Sequence, residues 1–121
     1  MILVDTNIWA DHLGKPDQRL LNLIRTDDIC AHPHVIGELA LGNLRQFDVV
    51  IRFLKSLRQA NTAREDEVLT LVRDHKLSGS GIGYSDAHLI ASLLITPNTL
   101  LWTRDKRLYA VAQRFGLAIK P

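Results

Sequence analysis

Two kinds of apolar pattern alternate along this chain. Short unbroken runs, Ile2-Leu3-Val4, Ile29-Cys30-Ala31, Thr99 to Thr103 and Leu117-Ala118-Ile119, suit strands covered on both faces, as in a parallel sheet buried under helices. Between them, apolar residues recur every three or four positions, the spacing that puts them on one face of a helix. The stripes are Ile8 to Leu13; Leu20, Leu23 and Ile24; Val35, Ile36, Leu39 and Ala40; Phe47, Val50, Ile51, Leu54 and Leu57; Val68, Leu71 and Val72; Ala87, Ile90, Ala91 and Leu94; and Leu108, Val111, Ala112 and Phe115.

The polar residues between these stretches punctuate them. Gly14-Lys15-Pro16-Asp17 reads as a turn, with Pro16 placed to open the next helix. Asp27-Asp28 breaks that helix, Pro33 starts another, and Gly42 ends or loosens it. Glu65, Asp66 and Glu67 crowd the first turn of a helix running to His75, where the helix dipole favours acids. Ser78 to Gly83 is a flexible loop, after which Ser85 or Asp86 can cap a helix. Thr96-Pro97-Asn98 turns the chain into the strand at Thr99, and Gly116 ends the last helix. The order strand, helices, strand, helices, strand, helix, strand predicts an α/β sandwich, a small and mainly parallel sheet between helices, as one domain over residues 1–121. No repeat or linker interrupts it.

Composition narrows the class without naming a function. Of 121 residues, 46% are apolar and 23% charged, the balance of an ordinary globule. No apolar run reaches the roughly 20 residues of a membrane span, and no basic region precedes an apolar core at the N-terminus. Cys30 has no partner for an internal disulfide, which fits a reducing cytoplasm. Net charge is only +2, but basic residues gather at Arg45, Arg52, Lys55 and Arg58, and at Arg104, Lys106, Arg107, Arg114 and Lys120. Such runs suit either a polyanion or a plain solvated face.

Candidate chemistry lies in four acids. Asp5 and Asp105 follow strands, at the carboxyl edge where open α/β sheets place their ligands. Either can equally be a helix N-cap. Glu38 stands in the otherwise apolar segment Val35 to Leu41 with no Lys or Arg three or four residues away, so the pattern presses it toward the interior. A carboxylate so placed has to be paired from a distant segment, protonated or bound to a cation. Asp86 opens a helix built for burial. Four acids in one pocket oppose one another's ionisation, and hard divalent cations such as Mg²⁺ or Mn²⁺ relieve that repulsion. The chemistry suggested is metal-assisted phosphodiester hydrolysis, which needs no side-chain nucleophile.

Val4-Asp5-Thr6-Asn7, Ile36-Gly37-Glu38-Leu39-Ala40-Leu41-Gly42, Asp86-Ala87-His88-Leu89-Ile90-Ala91 and Leu101-Trp102-Thr103-Arg104-Asp105-Lys106-Arg107-Leu108 together resemble PIN-domain ribonucleases, above all the VapC toxins of type II toxin–antitoxin pairs. The likeness covers essentially the whole chain. It implies a PIN-like fold, Asp5, Glu38, Asp86 and Asp105 as the metal-binding catalytic acids, and Thr6, Asn7 and Thr103 in support of them. It implies a metal-dependent endoribonuclease cutting structured RNA such as tRNA or rRNA, a homodimer, and a VapB-type antitoxin whose tail covers the site. Arg104, Lys106 and Arg107 flank the pocket in sequence and are candidates for RNA phosphates.

Other readings fare worse. Cys30, His32 and His34 alternate, but Pro33 interrupts the run and no fourth zinc ligand stands at a familiar spacing. A phosphorylation-driven receiver module needs an acceptor Asp after a central strand, where this chain reads as helix from Phe47 to Leu57. A haloacid-dehalogenase-like phosphatase needs Asp where Asn7 stands. The serious rival is a PIN-like binding or regulatory subunit retired from catalysis, against which the complete set of acids argues.

Overall fold

A computed structural model describes all residues, Met1–Pro121. Four strands form one sheet: β1 (Ile2–Val4), β2 (Ile29–Ala31), β3 (Arg58–Gln59) and β4 (Leu100–Trp102). Their order is β3-β2-β1-β4 and every pairing is parallel. In register, Ile2 faces Ile29 on one side and Leu100 on the other. A parallel sheet this short has to be closed off from water by helices, and its central residues Leu3, Val4, Cys30, Ala31 and Leu101 are fully or almost fully buried.

Seven helices flank the sheet: α1 (Thr6–Gly14), α2 (Gln18–Arg25), α3 (Pro33–Leu41), α4 (Phe47–Ser56), α5 (Glu65–Asp74), α6 (Tyr84–Ile95) and α7 (Lys106–Arg114). One cluster of 26 buried apolar residues joins sheet and helices. α6 is its thickest contributor, with every residue from Ala87 to Leu93 buried. α1 packs on α3, and α3 in turn on α4 and α6, so the helices that begin after different strands meet beside the sheet. No helix is long and apolar enough to cross a membrane.

Several local expectations are corrected. Asp17, not Pro16, opens α2, its side chain accepting from the Leu20 N–H at 3.1 Å. α1 begins two residues before Ile8, because Asp5 caps it directly. Leu117 to Ile119 is not a full strand: Ala118 forms a single bridge to Leu101. The fourth strand is instead β3, whose two residues are both exposed and join the sheet at the β2 edge alone. Phe47 does not join the buried stripe of α4 and is 48% exposed. Cys30, His32 and His34 form no ligand set: His32 bonds Ser92, and His34 bonds Ser85.

Candidate active site at the carboxyl edge of the sheet

β1 and β4 run side by side and end together, and the Asp5 N–H donates to the Trp102 carbonyl at 3.0 Å, one residue past β1. This register sets Asp5 beside Thr103. One Asp5 oxygen accepts from the Thr6 N–H at 2.7 Å, capping α1, while the other accepts from the Thr103 hydroxyl at 2.7 Å and the Asn7 amide at 3.3 Å. The Thr103 oxygen accepts from the Asp105 N–H at 3.0 Å, and the Asn7 carbonyl accepts from the Arg104 N–H at 3.2 Å. The two strand ends are therefore laced together through Thr103 and Asn7. Asp5 is only 5% exposed.

The other acids arrive from separate elements. Asp105 caps α7, one oxygen accepting from the Arg107 and Leu108 N–H groups at 2.9 and 3.0 Å. Neither Ser85 nor Asp86 is the N-cap of α6, which is Gly83; Asp86 reaches back from the third helical position to accept from the Gly83 N–H at 2.9 Å. Glu38 lies on α3 and makes no protein hydrogen bond. Its side chain is exposed rather than pressed into the core, because the apolar residues around it point to the other side of the helix.

Electrostatics bring the four together. Burial raises the Asp5 pKa, against the Thr103 and Thr6 hydrogen bonds, and Asp86 and Asp105 raise it further. Partial loss of hydration raises Glu38, with Asp5 and Asp86 adding repulsion. Burial also raises Asp86, opposed by the Gly83 N–H and reinforced by Asp105. Asp5, Glu38 and Asp86 thus each feel at least one other acid of the set. As placed, no three His, Cys, Asp or Glu side chains stand close enough to chelate an ion. The chemistry of the donors nevertheless fits a hard cation: all are carboxylates, and Glu38 and one oxygen each of Asp86 and Asp105 have no protein donor. The buried Thr6 hydroxyl beside them also has no hydrogen-bond partner.

The flanking basic residues differ among themselves. Arg104 is committed to Asp11 at 2.5 Å and Asp17 at 3.2 Å, tying β4 to α1 and to the start of α2. Lys106 and Arg107 are exposed and enter no ion pair; the Arg107 side chain lies against Gly81, where an added Cβ would stand 2.6 Å from its Cδ. Beside Glu38 opens a groove of about 730 Å³ between α1, α3 and the start of α4, lined among others by Thr6, Leu13, Leu39, Arg45 and Val50. Leu41, Phe47, Val49 and Phe53 are also exposed on α3 and α4. Val49 and Phe53, apolar residues of α4 outside its helical stripe, are the one sequence signal of this surface.

The PIN domain family profile matches residues 2–114, covering both strand ends and all four acids. The chain belongs to the PIN-domain family. Among its curated relatives is Ribonuclease VapC32 of Mycobacterium tuberculosis, in the CDC 1551 / Oshkosh and H37Rv strains. Each is 46% identical over 119 residues, 98% of this chain and 96% of the relative. This similarity places the PIN domain with the VapC type. No solved structure matches it.

Within this PIN domain the Thr103 hydroxyl serves three partners at once, so Thr103→Val, nearly the same shape, should be costly. It leaves the Asp105 N–H without its acceptor and strips Asp5 of its shortest side-chain donor. We expect a loss of about 1–3 kcal/mol in urea unfolding; an unchanged midpoint would show that water replaces the hydroxyl.

Proposed function

We propose that this protein is a metal-dependent endoribonuclease, the toxin of a VapBC-type pair, and that Asp5, Glu38, Asp86 and Asp105 are its catalytic acids. The observation that supports the reading is the mutual electrostatic influence of carboxylates carried by four elements near the carboxyl edge of β1 and β4, which with burial raises the pKa of Asp5, Glu38 and Asp86. These acids would hold Mg²⁺ or Mn²⁺, which when bound would polarise the phosphodiester and lower the pKa of a water. Thr103, Asn7 and the Thr6 N–H fix the Asp5 carboxylate, and the free Thr6 hydroxyl is positioned to hold a water. Lys106 and Arg107 face incoming RNA as phosphate ligands, whereas Arg104 serves to brace the site through Asp11 and Asp17. Water attack at phosphorus with rupture of the P–O3′ bond leaves a 5′-phosphate and a 3′-hydroxyl.

The same reading gives the protein a structured RNA substrate such as tRNA or rRNA, a cytoplasmic setting, a homodimeric state and a VapB-type antitoxin. The groove beside Glu38 suits an antitoxin segment that lays apolar side chains on Leu13, Leu39 and Val50 and extends a cation toward the acids. Exposed Val49 and Phe53 extend that surface or form the dimer contact.

The test is made in cells without antitoxin. Inducing the wild type should arrest growth and create a few sharp new 5′-phosphate RNA ends, and inducing Asp86→Asn should create none. Identical maps from two folded proteins would instead support a PIN-fold binding or regulatory subunit.

A further inference from the structure

At the same edge of the sheet stands an aromatic side chain that the acids do not use. Tyr84 is the first residue of α6, two positions before Asp86, and remains 47% exposed. It is not a loose surface ring. It meets the buried His88 edge-to-face, centroids 4.7 Å apart at 89°, from one helical turn away. His88 is stacked on His34 of α3 at 4.3 Å and 22°, and His34 meets His32 at 5.4 Å. Hydrogen bonds lock the far end of this row: His34 to Ser85 at 3.0 Å and His32 to Ser92 at 2.8 Å. A solvent-facing ring is thus held still from behind by three imidazoles wedged between α3 and α6.

The approach to that ring carries one unpaired cation. The loop before it carries Gly79, Gly81 and Gly83, and the unpaired Arg107 lies along Gly81, three residues before Tyr84. A cation for a phosphate and a fixed aromatic face for a base therefore flank the junction that delivers Asp86. Unpaired bases stack on such rings, whereas bases inside a duplex have no free face to offer. The large aromatic residues Trp9 and Trp102 cannot play this part, being 2% and 1% exposed.

We propose that Tyr84 is a stacking platform for an unpaired nucleobase next to the scissile phosphate, which makes the substrate a single-stranded or looped-out stretch of RNA. This rests on the nuclease reading for its placement, but its test reads binding. A single-stranded RNA heptamer with 2-aminopurine at its centre is titrated, with Ca²⁺ in place of Mg²⁺, with the wild type, Tyr84→Phe and Tyr84→Leu, each checked for an unchanged melting curve. Stacking quenches the fluorophore. The wild type and Tyr84→Phe should quench it and bind alike, and Tyr84→Leu should bind roughly 5- to 150-fold more weakly without quenching, the span that one base–aromatic stack is worth. Equal quenching by Tyr84→Leu, or none by any of the three, overturns the platform and leaves the ring as a protein contact. Tyr84-dependent quenching by a protein that makes no new RNA ends in cells would sink the nuclease reading and keep the platform; the converse pair of results would do the reverse.

Discussion

Asp86→Asn should cut cleavage by about 10³-fold or more while the protein melts at the same temperature or higher. The loss follows from the role proposed for Asp86, since removing a charged metal ligand forfeits several kcal/mol of transition-state stabilisation, at about 1.4 kcal/mol per tenfold. The intact fold follows from the local bonding. The one protein hydrogen bond Asp86 makes is accepted from the Gly83 N–H, and an asparagine carbonyl accepts it equally well. The substitution also removes a charge that burial and Asp105 both disfavour. Asp5→Asn should behave differently. Its carboxylate accepts on both oxygens, from Thr6 on one side and from Thr103 and Asn7 on the other. An amide has one acceptor, so its NH₂ must face donors on one side, at about 1–3 kcal/mol in a buried site. Both variants should be inactive against the RNA mapped in cells, but only Asp5→Asn should be less stable in thermal melts. An Asp86→Asn protein that keeps activity within tenfold would mean that Asp86 only anchors the start of α6 through the Gly83 N–H, and one that unfolds would mean that its charge is structural.

The contrast between these two aspartates also shows what a sequence can and cannot disclose. That Asp5 and Asp105 end strands was legible, since Ile2 to Val4 and Leu100 to Trp102 are apolar runs with no polar alternative. That both cap the helices that follow was legible too, and capping leaves Asp5 within electrostatic reach of Asp86 and Asp105. β3 was not legible, because Arg58 and Gln59 are both exposed polar residues with no apolar pattern, and the strand joins the sheet by its backbone ladder to β2. Glu38 misled for the opposite reason. Its apolar neighbours suggested burial, yet Val35, Ile36 and Leu39 carry the packed face and Glu38 turns toward the cleft. The commitment of Arg104 to Asp11 and Asp17 joins residues more than eighty positions apart, which no local pattern foretells. The histidine row behind Tyr84 was hidden likewise: His34 and His88 lie far apart in sequence and meet only where α3 and α6 pack together.

The acid cluster should also make the metal-free protein respond to pH and to divalent ions in a linked way. Asp5, Glu38 and Asp86 all have folded pKa values above their ordinary 3.8, 4.5 and 3.8. Between the ordinary and folded values the native state binds more protons than the unfolded one, so their contribution is most favourable at low pH and is lost as pH rises through that window. His32 runs against them. Buried neutral with its pKa lowered from 6.5 to about 4, it takes stability away as pH falls from 6.5 toward 4. Whole-protein melts mix the two, so Glu38→Gln is the cleaner instrument: without metal it should melt above the wild type at pH 7, with the gap closing near pH 4 as Glu38 becomes protonated in both folded and unfolded chains. Mg²⁺ should reverse the ranking. At one hundred times its Kd the ion adds about 2.7 kcal/mol to the wild type, a rise of roughly 10 °C for a domain of this size. Glu38→Gln, with one ligand charge fewer, should gain less at the same concentration. A metal-free wild type that melts above Glu38→Gln at pH 7 would show that Glu38 is held by a favourable partner rather than by repulsion. Equal gains with Mg²⁺ would remove it from the metal site.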